Sequence, residues 1–404
     1  MGIRGAGLVI KFGFTLFVAK FLAFEALGLY GLIFSAAILT RVIIGLSFSY
    51  TLSRKAVTQS LAQTCHEYKY YWFYTSLVYL SLIPIGIALG GVYGTLFIAS
   101  FVILIAYTEH LANDMYVLLM NLSKPIIANI IHFIRSGGWM LVFMMAAYLV
   151  PDFRNIETVL SVWLVGNLLS LLLVIFVVKR WPWNKIPMNI PLRQWIKKEF
   201  VKSKTMYGTE CLQTITTYIN HFLITIFLGL ELTGVYVYFM NLGSALINLM
   251  QTGIIQIYRP RMVVAFNAKK EFFEVYKKAL LRTSVIAVSL GLIAGVCFYE
   301  ITIILDKKAA IDSIYLLIPI LFAFPLTIAA EINKLVFYSM HRDDIILKCI
   351  MLSFPFTLAM KCILVPTLQL WGVAITVVAT GAAAMVLTFY YVKKLNIQQY
   401  SQVK

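Results

Sequence analysis

Six bases and four acids stand inside long apolar runs of this chain: Lys11, Lys20, Arg41, Arg135, Lys334 and Lys361 against Glu109, Asp114, Glu210 and Glu331. An ionisable side chain surrounded by hydrocarbon costs roughly 2.5–3.5 kcal/mol on insertion scales, so such groups face a polar interior or pair with one another. Glu109 and Arg135 flank the turn at 121–124 at similar distances. At 1.5 Å rise per helical residue, both lie about 15 Å deep on antiparallel neighbours, which predicts an ion pair. His110 and Asp114 are four apart, on one helical face, within hydrogen-bonding reach. Arg41 and Lys11 have no partner at their depth on an adjacent run. An unpaired guanidinium grips a phosphate-type anion with two parallel hydrogen bonds, and a lysine adds a point charge. Arg41 and Lys11 are therefore the first candidates for binding an anionic substrate, followed by Arg135, Lys20 and Lys361. Any one of them could instead be closed off by a pair inside a helical bundle. Glu109, Asp114 and Glu331 are candidates for such pairing or for a coupling ion.

These residues need helices to carry them. Of 404 residues, 61% are hydrophobic and 13% charged, against about 45–50% and about 25% in soluble domains. That excludes an ordinary soluble enzyme, a disordered chain and a disulfide scaffold. About 20 mostly apolar residues cross a bilayer as a helix. Twelve stretches qualify: 3–22, 28–53, 70–89, 93–120, 125–149, 158–178, 205–229, 234–258, 282–304, 313–339, 344–366 and 369–392. They are continuous runs, not the alternation of barrel strands. The fold class is all-α integral membrane, with about 12 helices.

The net charge of +17 would suggest nucleic acid in a soluble protein. Here it tracks topology. With the amino terminus inside, only Arg154, Lys307 and Lys308 fall in outer loops. Beyond these three and the six within spans, 25 of the 34 Lys and Arg lie on the inner side. The positive-inside rule then puts both termini in the cytoplasm, and no nucleic-acid partner is needed. The five cysteines show no CxxC spacing, no metal-ligand motif or phosphate loop is present, and no cofactor is expected. Between the halves, 191–204 sets Leu192, Trp195, Ile196 and Phe200 on one face and bases largely elsewhere. That pattern predicts a basic amphipathic helix on the inner leaflet.

The chain also repeats. Residues 21–30, FLAFEALGLY, and 227–236, FLGLELTGVY, share Phe, Leu, Glu, Gly and Tyr at a constant offset of 206. A weaker echo pairs Asn113 with Asn333 and Met120 with Met340. Each residue of the motif has a local use in a loop, but that does not account for identities at one place in both halves. Two six-helix lobes related by a parallel repeat follow. The expected organisation is a lobe at 1–180, a linker at 181–204 and a lobe at 205–404.

The segment Lys20-Phe-Leu-Ala-Phe-Glu-Ala-Leu-Gly-Leu-Tyr30, Gly234-Val-Tyr236 running to Tyr258-Arg259-Pro260, and Asn121-Leu-Ser-Lys-Pro125 followed by Arg135-Ser-Gly-Gly-Trp139 resemble Wzx-type polysaccharide flippases. These belong to the multidrug/oligosaccharidyl-lipid/polysaccharide exporter superfamily. The resemblance covers essentially the whole chain, although the chain starts almost directly at the first span, which hints at a differently chosen start site. It implies a bacterial inner-membrane protein moving an undecaprenyl-diphosphate-linked oligosaccharide, for O-antigen, capsule or exopolysaccharide, to the periplasmic leaflet by alternating access. It implies membrane lipids and other polysaccharide-assembly proteins as partners. It also implies a cleft lined by the first, second, seventh and eighth helices, which is where Lys11 and Arg41 stand. Two rivals remain. A small-molecule exporter of the same superfamily would need different cleft chemistry, and six bases against four acids favour an anion. A membrane polymerase or glycosyltransferase would need a larger outer loop than this sequence offers.

Overall fold

The computed structural model describes residues 2–92, 96–268 and 272–402. The expected start of the fourth span at 93 and the inner bases Lys269, Lys270 and Lys404 lie outside the described residues. Twelve long helices follow one another: α1 (Gly2–Phe21), α2 (Phe24–Gly45), α3 (Leu61–Val92), α4 (Leu96–Asn121), α5 (Pro125–Leu149), α6 (Ile156–Val178), α7 (Leu192–Leu228), α8 (Leu230–Asn267), α9 (Phe272–Leu305) and α10 (Leu317–Ser339), then α11 and α12. The last two share Asp343–Gln402 and divide at Gln369, whose φ of 52° breaks the helix. The fold is that of a multi-span, all-helical membrane protein. Among the described residues, nine stretches are long and apolar enough to cross a membrane by length and composition, the last containing both α11 and α12. The outward faces carry residues such as Leu149, Leu172, Ile304 and Ile318, each more than half exposed. Surface of that kind is stable only against lipid tails.

The chain forms two compact units. One takes residues up to Leu22 and Tyr30–Ile215; the other takes Ala23–Leu29 and residues from Thr216 onward. In the second unit the two copies of the repeated motif touch. A Cβ on Gly28 would stand 2.1 Å from the Leu230 carbonyl oxygen, and a Cβ on Gly234 would stand 1.8 Å from that of Phe24. The 206-residue offset maps Phe24 onto Leu230 and Gly28 onto Gly234, so the contact is reciprocal. Each glycine is present because the partner's backbone occupies the space of a side chain.

Two expectations are corrected. The second span does not run unbroken to 53. It stops at Gly45, turns through Leu46 and Ser47 at φ 49° and 54°, and resumes as a short helix, Phe48–Lys55. The basic amphipathic segment is not a separate helix. Residues 192–204 are the first turns of α7, continuous to Leu228. Trp195 on their apolar face packs on protein, stacked against Tyr70 with ring centroids 5.4 Å apart. Its indole N–H donates to Glu67. Glu199, fully buried, is held by Lys55 and Lys202.

Candidate functional site

In the first unit α4 carries four polar side chains close together, Glu109, His110, Asn113 and Asp114. Its neighbour α5 loosens into a π-helical turn at Ile134–Gly138. Such bulges re-aim side chains and recur at functional sites. This one directs Arg135 toward α4. The Arg135 guanidinium donates to a Glu109 carboxylate oxygen and contacts His132 Nδ1 at 3.1 Å. The second Glu109 oxygen accepts the Trp163 indole N–H at 3.0 Å. Trp163 stacks on Trp139, centroids 5.6 Å apart and 8° from parallel. The pair is thus fixed by two helices and an aromatic wall.

Beside it lies a cavity of about 140 Å³, lined by Lys11, Arg41, Glu109, Arg135, His132 and the rings of Tyr30, Phe34, Trp139 and Trp163. Lys11 Nζ lies 5.8 Å from the Phe34 ring centroid. Neither the Lys11 nor the Arg41 side chain forms a hydrogen bond or ion pair among the described residues. Glu109 offsets Arg135, and Lys11 and Arg41 add two further bases over an aromatic floor. That arrangement suits an anion.

A second cavity, of about 130 Å³, adjoins the first. Arg41 and Asn113 line both. Its other polar walls are Ser47, Tyr71, His110, Asp114 and Glu210. The break after α2 supplies Ser47, whose hydroxyl donates to Glu210 at 2.5 Å. His110 contacts the hydroxyls of Tyr71 at 2.8 Å and Tyr79 at 3.2 Å, and its Nε2 stands 3.3 Å from Asp114 Oδ2.

The other sequence candidates stand apart. Lys20 is exposed at the end of α1, 5.8 Å from the centre of the Phe21 ring. Lys361 and Glu331 belong to the second unit. Lys361 is buried and donates to the Thr216 carbonyl at 2.5 Å, while Glu331 accepts from Lys334 one turn along α10 at 2.7 Å. Asn333, the counterpart of Asn113, is closed off between Tyr276 and Thr388. Trp163 and Ser47 were missed by sequence reasoning. Both act through hydrogen bonds to acids 54 and 163 residues away, with no local signal.

No family model matches this sequence, and no curated protein matches it. Solved structures do. An inward-facing multidrug-resistance MATE family transporter of the MOP superfamily is 15% identical, covering 98% of this chain and 96% of its own at a TM-score of 0.77. The lipid II flippase MurJ, in an inward closed conformation, is 14% identical over 96% of this chain and 86% of its own, also at 0.77. A MOP superfamily transporter from Pyrococcus furiosus, described as having a binding pocket of reversed polarity, is 14% identical over 96% and 92%, at 0.60. At such identities the likeness establishes the fold: the twelve-helix, two-lobe architecture of these transporters.

Proposed function

We propose that this protein is a flippase for an undecaprenyl-diphosphate-linked oligosaccharide, carrying it from the cytoplasmic to the outer leaflet of a bacterial inner membrane by alternating access between two six-helix lobes. The observation that carries this reading is the cavity that gathers Lys11 and Arg41, neither of them in an ion pair among the described residues, beside an Arg135 paired with Glu109. A diphosphate bears two negative charges and matches that pair. The fold is compatible, since MurJ, a lipid II flippase, shares it. The membrane potential assists: about 2.3 kcal/mol per charge per 100 mV gives about 4.6 kcal/mol for two charges moving outward. The remaining barrier is polar sugar crossing hydrocarbon, at several kcal/mol per unpaired group. A polar interior removes it while the lipid tail stays in the bilayer. Both termini belong in the cytoplasm on this reading, and membrane lipids and other polysaccharide-assembly proteins are the partners.

The test is genetic. In a strain lacking its own copy, wild-type protein restores surface polysaccharide, and Arg41→Ala fails to restore it at equal protein level. Normal polysaccharide with Arg41→Ala removes Arg41 from the substrate site. A second reading, export of a small cationic molecule, is favoured by Asp114 and Glu210 in the adjoining cavity. Resistance to cationic compounds that depends on those two acids and ignores Arg41 would select it.

A further inference from the structure

The connection from α6 into α7 is built of bases and aromatic rings. Residues 179–198 hold six bases and no acid: Lys179, Arg180, Lys185, Arg193, Lys197 and Lys198. All six are exposed, as is Lys124 at the turn between α4 and α5. None of the seven forms an ion pair among the described residues. Glu199, the next residue in sequence, is spent on Lys55 and Lys202, and Glu67 accepts the Trp195 indole N–H.

The segment is irregular before α7 but held in place. The Trp183 indole N–H donates to the Val178 carbonyl at 2.8 Å, and Lys69 donates to the Ile186 carbonyl at 3.1 Å. The Tyr70 hydroxyl donates to the Ile190 carbonyl at 2.9 Å and accepts the Ile190 N–H at 2.8 Å. Pro182, Pro187 and Pro191 restrict φ between these bonds. Trp183 stacks on Trp72 of α3, ring centroids 5.3 Å apart, and on Trp181 at 6.1 Å. Lys124 Nζ lies 5.4 Å from the Trp181 centroid.

This basic surface begins where hydrocarbon-facing surface ends. Leu172, Ile175 and Phe176 of α6 are each more than half exposed. Lys179 follows them, its Nζ 4.2 Å from the Phe176 ring centroid. A lysine whose stem covers apolar surface while its ammonium reaches water is placed as a membrane-interface residue is.

We propose that 179–198, together with Lys124, is a docking surface for the headgroups of anionic phospholipids in the leaflet that meets this end of the helices. It requires only the membrane-spanning fold, whatever the cargo. The charge complements an anionic leaflet, whose pull on a basic segment decays within a Debye length. A nucleic acid or an acidic peptide would meet the same charge, but not at the edge of a lipid-facing helix. Unpaired bases spread along a fixed chain meet several headgroups at once instead of gripping one diphosphate. Because the chain is already held, binding costs little ordering. The apolar side of 192–204 is packed on protein, which leaves its basic side for the leaflet.

The full chain, purified in detergent, is titrated with a short-chain phosphatidylglycerol and with the matching phosphatidylcholine. Phosphatidylglycerol should bind about tenfold more tightly. That preference should shrink as added salt shortens the Debye length from about 30 Å to about 10 Å. Lys179→Gln with Arg180→Gln and Lys185→Gln should remove most of the preference and leave Tm in phosphatidylcholine unchanged. Arg193→Gln with Lys197→Gln and Lys198→Gln should do the same, and the two sets are independent should one fail to fold. Equal binding of the two lipids, or a preference that survives in both sets, overturns the proposal. Inorganic pyrophosphate that displaces phosphatidylglycerol mole for mole would make the surface a small-anion site and overturn it too. So would a single-stranded RNA that binds more tightly than the lipid. None of these outcomes touches the cavity of Lys11 and Arg41, so the flippase reading stands or falls separately.

Discussion

Glu109 accepts from two partners in the first unit, the Arg135 guanidinium and the Trp163 indole. Glu109→Ala leaves a largely buried guanidinium without its charge partner, a loss of about 3–5 kcal/mol. Thermal unfolding in detergent should show it as a clear drop in Tm, and an unchanged Tm would mean that water replaces the carboxylate. Exchanging the two charges, Glu109→Arg with Arg135→Glu, should recover only part of that loss. The indole N–H of Trp163 then meets a cation instead of an acceptor. The ion pair was legible in the sequence because the short turn between α4 and α5 fixes the depth of both residues. Trp163 was not, because α6 meets Glu109 from a part of the chain whose depth nothing local fixes. Arg41 was legible as an unpaired base, but the two acids beside it were not. Glu210 comes within its reach only because α2 breaks at Ser47, and neither Leu46 nor Ser47 is a residue type that announces positive φ.

Helices, as elements, were read from apolar length with few errors, since a membrane forces every backbone group into a helix. The errors fell where polar chemistry overrides length. At Ser47 a buried hydroxyl–carboxylate bond holds a turn inside an apolar run. At 192–204 the amphipathic pattern was correct in register but was assigned to lipid. Lys55, Glu67 and Tyr70 supply protein partners for the same face. Glu199→Ala should therefore loosen the first turns of α7, since it strips the buried partner from Lys55. Hydrogen exchange at 192–204 should rise while that of 205–228 stays protected. Equal exchange in both forms would mean that Trp195 alone anchors the segment. The glycine pair is less forgiving. Gly28→Ala or Gly234→Ala places a methyl within about 2 Å of a carbonyl oxygen. Overpacking typically costs about 1–3 kcal/mol, and backbone against backbone should reach the top of that range. Size-exclusion profiles of fluorescent fusions should show reduced folded protein for either substitution.

For the molecule as a whole, the sequence reads most of the basic charge as topological and a small part as lying within the helices. Only some of the intramembrane bases converge. Lys11, Arg41 and Arg135 meet in one unit, whereas Lys361 and Lys334 are satisfied in the other by a carbonyl and by Glu331. That asymmetry between the halves agrees with the proposed site lying in the first unit, and it ties the central claim to two residues. The direct measurement is flipping of a fluorescent polyprenyl-diphosphate-linked sugar in proteoliposomes with an inside-negative potential, comparing wild type with Arg41→Ala and Lys11→Ala at matched reconstitution. Flipping that is clear in wild type and reduced at least tenfold in both variants is the expected result. Flipping undiminished in both, or absent from wild type while a cationic dye is exported, contradicts the account.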